Sequence, residues 1–115
     1  EWFQLFEKFS NGKQLLDYGC GDASFLKFFH QKGYQCTGVD YDPAFVRRLQ
    51  KENPGIRFFT VEDFWKTTGQ FNTIFMGDVL EHIATPAQFL KDLGTKLTEK
   101  GLIAAQGPLE KRPGK

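Results

Sequence analysis

Leu15-Leu16-Asp17-Tyr18-Gly19-Cys20-Gly21-Asp22-Ala23 is the stretch whose reading decides the fold. A brief apolar run that stops on two glycines one residue apart reads as a buried strand feeding a tight turn. Behind it, Phe25, Leu26, Phe28 and Phe29 form the broad apolar face of a helix, with Asp22 as its expected cap and Gly33 as its stop. The same alternation continues outward in both directions. Upstream, Trp2, Phe3, Leu5, Phe6 and Phe9 fall near a helical period, which predicts a short helix ended around Asn11-Gly12. Downstream, residues 34–39 read as a second strand ending at Asp40. Asp42-Pro43 then opens a helix, a capping carboxylate followed by proline at the first helical position. Phe45, Val46 and Leu49 are its buried stripe, and Asn53-Pro54-Gly55 ends it. A third strand is expected over 56–61, a single helical turn over 62–66, and a fourth strand over 71–76. Thr85-Pro86 starts a helix with Phe89, Leu90, Leu93 and Leu97 on one face, and residues 102–105 form a fifth strand after Gly101.

Strands alternating with helices imply a Rossmann-like α/β domain, a mostly parallel sheet with helices on both faces, because right-handed crossovers place them there. The length of 115 residues fits one domain, 1–115. Apolar residues make up 40% of the chain, with thirteen Phe, enough for a packed core. Fifteen Lys and Arg against fourteen Asp and Glu give a net charge of +1. That balance argues against a general nucleic-acid or membrane-surface binder. Cys20 and Cys36 lack metal-ligand spacing and read as reduced thiols, no apolar run approaches the roughly 18 residues of a membrane span, and no signal peptide is visible. A cytoplasmic protein is the expectation. The closing Lys111, Arg112 and Lys115 read as a solvated tail.

In such sheets ligands bind at the carboxyl ends of the strands, where the winding reverses. Gly19 and Gly21 let the backbone turn sharply near a ligand, with the amides of the next helix expected to aim at an anionic group. Asp40, nineteen residues after Gly21, ends the next strand, where a carboxylate can accept both hydroxyls of an adenosine ribose. A dinucleotide also needs a third glycine beside its pyrophosphate. Ser24 holds that place, and Asp17 just before the turn suits a ligand bearing an ammonium and a sulfonium better than a pyrophosphate.

On these residues the chain resembles a known family. Leu15-Leu16-Asp17-Tyr18-Gly19-Cys20-Gly21 looks like the first motif of class I S-adenosylmethionine-dependent methyltransferases, and Gly38-Val39-Asp40 like their second. Residues 71–83, containing Gly77-Asp78-Val79-Leu80-Glu81-His82-Ile83, resemble the fourth-strand motif of the branch that includes ubiquinone-biosynthesis methyltransferases. The match runs from about Lys13 to Gly107. It implies a strand order of 3-2-1-4-5 and methyl transfer from S-adenosylmethionine, leaving S-adenosylhomocysteine, to an unidentified small-molecule acceptor. It further implies that Gly19, Cys20 and Gly21 line the methionine part, that Asp17 helps hold its amino group, and that Asp40 binds the ribose. Tyr41 would pack on the adenine, and Glu62 or Asp63, the latter slightly favoured, would reach its amino group. Asp78 and Val79 would border the methionine.

Two departures stand out. Ala23 occupies a place where many relatives have glycine, which reads as a mild change. The family fold normally continues past the fifth strand into a helix and an antiparallel hairpin, so the domain is expected to be incomplete at its carboxyl end. An uncovered fifth strand is an aggregation liability, so a further segment or a second copy is expected on that edge.

Glu81-His82 admits two readings. His82 could deprotonate an acceptor hydroxyl, or the pair could simply close the loop after the fourth strand. With Asp78 the spacing also resembles the metal-binding set of small-RNA end-methylating enzymes. That set needs a further downstream His, and the other one here is His30, so no metal is expected. Cys20 near a helix start could be an activated thiol, or small-residue packing under the loop. Trp65 could roof the adenine or pack in the core. The competing functions are a non-catalytic cofactor-binding or assembly domain and, disfavoured by the absent third glycine, a nicotinamide-dependent oxidoreductase.

Overall fold

In a computed structural model, which describes residues 2–9, 12–77 and 79–106, the expected alternation is present. The strands are β1 (Gln14–Tyr18), β2 (Gln35–Asp40), β3 (Arg57–Thr60), β4 (Phe71–Gly77) and β5 (Leu97–Gln106). The helices are α1 (Trp2–Phe9), α2 (Ser24–Gln31), α3 (Pro43–Glu52), the single turn α4 (Val61–Phe64) and α5 (Pro86–Gly94), with a 3-10 turn at Leu80–His82. All four pairings are parallel and the strand order is β3-β2-β1-β4-β5. No described helix is long and apolar enough to cross a membrane.

Because side chains alternate along a strand, β1 feeds two separate cores. Leu15 joins Cys36 and Phe58 on the face covered by Leu26 and Phe29 of α2 and by Val46 and Leu49 of α3. Leu16 and Tyr18 join Val39, Ile74 and Met76 on the other face, under Phe64 of α4 and Leu93 of α5. Helices therefore cover both faces. Trp65 belongs to the second core: its indole Nε1 donates to the Tyr18 hydroxyl at 3.0 Å and its ring meets Phe64 edge-on, so it is a packing residue.

The helix ends follow their local chemistry. Asp42 caps α3, accepting from the Ala44 amide at 3.0 Å, with Pro43 at the first helical position. Gly33, at φ +93°, ends α2, where Gly33 N–H and Tyr34 N–H return to the carbonyls of His30 and Phe29. At the start of α2 the cap differs from expectation. The cap position is Ala23, and Asp22 acts one residue early, accepting from both the Ser24 amide and hydroxyl. Ala23 is consequently held at φ +68° and is fully buried, a left-handed backbone that costs a residue with a Cβ about 1–2 kcal/mol. The exchange from glycine is thus a strained one. Ala23→Gly is expected to leave stability within about 1 kcal/mol of wild type in urea denaturation, since relief of strain offsets a lost buried methyl and a freer unfolded chain.

The fifth strand departs most from expectation. Leu97 opens β5 instead of closing α5, pairing with Phe71 across a register shift before Thr73 pairs with Leu102. The helix is stopped earlier, where Thr95 Oγ1 returns to the Asp92 carbonyl at 2.6 Å. Gly101 then passes close over the Phe71 and Asn72 carbonyls, where a Cβ would stand 3.0 and 3.1 Å away. At the opposite edge, Gln50 Nε2 donates to the Phe58 carbonyl of β3 at 2.8 Å, which occupies part of an open strand edge. The expected stop of α1 falls at Phe9; Asn11 lies outside the described residues, as do the 107–115 tail and its three cations.

Candidate functional site

The central strand β1 ends between β2 and β4, so its carboxyl end is where the winding of the sheet reverses. Asp17 lies opposite Gly38 on one side and Phe75 on the other, and Tyr18 leads into Gly19. The turn is made by left-handed glycines, with φ +86° at Gly19 and +54° at Gly21. Their sites differ. A Cβ on Gly19 would stand 2.9 Å from Val79 Cγ2, so this glycine admits the loop after β4. A Cβ on Gly21 would meet nothing within 4 Å, so this one fronts open space.

The amides of the turn are mostly taken. Gly19 and Cys20 N–H both donate to the Val39 carbonyl, at 2.8 and 2.9 Å, and Ala23 N–H donates to the Cys20 carbonyl at 3.0 Å. The Ser24 amide is held by Asp22. The amides of Gly19, Cys20, Ala23 and Ser24 are thus engaged inside the protein by the Val39 and Cys20 carbonyls and by the early cap at Asp22. The loop presents carboxylates instead. Asp40 Oδ2 accepts from Gly21 N–H at 3.1 Å and its Oδ1 from Tyr41 N–H at 2.8 Å, which fixes the carboxylate against the turn. A carboxylate has about four acceptor positions, so two remain for hydroxyls.

Asp17 is the unusual group. It is 8% exposed, and burial pushes its carboxyl up to about 7. No hydrogen bond or cation among the described residues offsets that burial. Cys20 lies beneath the turn, buried, its Sγ 3.8 Å from the Gly21 carbonyl. Burial, then the charges of Asp17 and Asp40, push its thiol up to about 12, so the activated-thiol reading is overturned: desolvation outweighs the helix start. Cys36 is likewise raised to about 11 by burial, then by Asp17.

The remaining expected residues take separate positions. Tyr41 is 64% exposed next to Asp40. Glu62 and Asp63 are both exposed on α4, whose start is capped by Thr60 accepting from the Asp63 amide at 3.1 Å. Asp63 lines a cleft with Pro43, Val46, Arg47, Phe59 and Thr60, and Glu62 is not among its lining residues. Val79 is buried against Gly19. Asp78 lies outside the described residues. His82 is exposed on the 3-10 turn, its amide donating to the Val79 carbonyl at 3.0 Å. Among the described residues no three His, Cys, Asp or Glu stand together as a metal would require. Gly38 of the second motif, to which the sequence assigns no role, supports the site from below. Packed against Leu26, Cys20 and Phe58, it leaves no room for a side chain, and a glycine within a strand is the sequence signal for such a close approach.

A parallel sheet in this order, with a glycine turn after the central strand and an acid ending the next, defines a Rossmann-like α/β domain. The chain belongs to the methyltransferase-domain family, whose model matches residues 2–112. It is 32% identical over 103 residues to the ubiquinone biosynthesis O-methyltransferase of Glaesserella parasuis, covering 80% of this chain and 44% of that protein. The S-adenosylmethionine-dependent methyltransferase of Mesorhizobium loti superposes with a TM-score of 0.71 at 21% identity, over 91% of this chain and 51% of that one. The plantazolicin methyltransferase BpumL, solved with a pentazolic desmethylPZN analogue and SAH, gives 0.73 at 20% identity, over 90% and 42%. The chain thus spans less than half the length of the curated relatives it matches.

Proposed function

We propose that this domain binds S-adenosylmethionine and serves methyl transfer to a small-molecule acceptor. The observation that carries the reading is the pair of carboxylates on one glycine turn: Asp40, held by Gly21 N–H, and Asp17, buried with no opposite charge among the described residues. The fit to the cofactor follows from the donor set. A dinucleotide pyrophosphate would need free turn amides, and those of Gly19, Cys20 and Ala23 are spent inside the protein. A ligand with an ammonium, a sulfonium and a ribose meets what the turn offers.

In this reading Asp17 holds the ammonium and the backbone of Gly19, Cys20 and Gly21 lines the methionine part, bordered by Val79 and Asp78. Asp40 receives the ribose hydroxyls and Tyr41 covers the adenine. Asp63 is favoured over Glu62 for the adenine amino group, because it lines the cleft beside Pro43 and Thr60, next to the ends of β2 and β3. The bound cofactor supplies a methyl group on a good leaving group. The protein's part is alignment, which can contribute roughly 7–11 kcal/mol when reactants are held at near-attack distance. A base is required only for an acceptor protonated at rest, and His82 on the rim is the candidate. The names of the curated relatives support a small-molecule acceptor. The free, buried state of both cysteines supports a cytoplasmic setting.

Isothermal titration with S-adenosylhomocysteine tests this reading, with NAD as comparison. Binding is expected for the first ligand and not for NAD, and Asp40→Ala should weaken it at least roughly tenfold through two lost hydrogen bonds to a charged acceptor. Equal or tighter binding of NAD would sink the proposal.

A further inference from the structure

We infer that seating the cofactor's ammonium against Asp17 expels a proton from that carboxyl, so that occupancy of the site is set by pH across the neutral range. The inference rests on the cofactor reading above. Asp17 is 8% exposed at the end of the central strand, flanked by Gly38 of β2 and Phe75 of β4. The face it shares is filled by Leu15, Leu26, Phe29 and Phe58.

Among the described residues, the titratable groups around it offer no positive charge. From the turn comes the Cys20 thiol and from β2 the Cys36 thiol, both buried and both neutral in this range. Asp40 at the end of β2 and Asp22 in the turn are acids. Lys27 of α2 is exposed and its influence falls on Asp22. Beyond the turn, Lys13 is paired with Glu7 of α1 at 3.2 Å. Burial alone therefore governs Asp17, holding its carboxyl near 7 in the free protein.

An ammonium brought beside that carboxyl reverses the balance, because an opposite charge within about 4–6 Å favours the ionised form. The proton leaves to solvent and an ion pair replaces a neutral acid. The consequence has a definite sign: binding tightens as pH rises toward neutrality. The ligand's own amine loses its proton only nearer pH 8, so the window below 7 belongs to the protein.

Titrations of the chain with S-adenosylhomocysteine at pH 5.5, 6 and 7, each in two buffers of different ionisation enthalpy, decide the matter. Roughly half a proton should be released per ligand at pH 7, approaching one at pH 6, with affinity roughly tenfold lower at pH 5.5 than at 7. Asp17→Asn should bind more weakly at pH 7 and lose the pH slope. Wild-type binding with no proton release overturns the inference and leaves the cofactor reading standing, as does a slope retained in Asp17→Asn. Absence of binding at every pH overturns both. Should the variant fail to bind at all, proton release by the wild type still decides.

Discussion

Asp17→Asn is expected to make the free protein more stable at pH 8, by about 2–3 kcal/mol in urea denaturation, while weakening ligand binding. The carboxyl sits near 7 in the folded chain, against about 3.9 when unfolded. Between those values the folded state binds more protons than the unfolded one, so stability falls as pH rises through the window. The full cost, roughly 4 kcal/mol, is present above pH 7 and absent below about pH 4. An asparagine carries no charge to desolvate, though burying its amide returns part of the gain. The advantage of the variant should therefore shrink toward zero as pH is lowered to 4. An equal difference at pH 4 and 8, or a loss at pH 8, would show that Asp17 finds a counter-charge in solution.

Gly38→Ala should act in the opposite direction on stability, costing about 2–3 kcal/mol, and should also disturb the site. A Cβ there would stand 2.8 Å from Leu26 Cδ1 and 2.9 Å from both Cys20 Sγ and Phe58 Cδ1. All three neighbours are buried, so none can swing into solvent. Relief must come from shifting side chains or backbone, and overpacking of this kind costs about 1–3 kcal/mol. The shift is passed on because Cys20 is the middle of the glycine turn and Asp40 lies two residues beyond Gly38. Binding of S-adenosylhomocysteine should weaken along with the urea midpoint. A variant as stable as wild type would mean that the interior under the turn has more room than these distances allow.

Much of the architecture was legible in the chain. Gly19 and Gly21 marked a turn because only glycine adopts those backbone angles without strain, and Asp42-Pro43 marked a helix start through its own side-chain chemistry. Asp40 is legible as the end of the second strand, where the structure also puts it. Leu97, an apolar residue one turn beyond Leu93, fits a helical face as well as a strand. The choice between them was made by Phe71 of a distant strand, with which Leu97 pairs. Asp22 has the chemistry of a helix cap, but it captures both Ser24 groups one residue early, and the cap position falls on Ala23 in a left-handed conformation.

What the sequence determined by itself was local: the alternation of strands and helices, the glycine turn, the helix starts and the acid types available to a ligand. Periodicity, capping and backbone permissiveness act between residues a few positions apart, and all are visible in a linear string. The tertiary structure alone decided that the turn amides of Gly19 and Cys20 close on Val39, that Gly21 grips Asp40, and that among the described residues no partner offsets the burial of Asp17. Hydrogen-bond competition and desolvation sum over neighbours brought from far along the chain. A carboxylate's cost is therefore set only once the two flanking strands have closed on it.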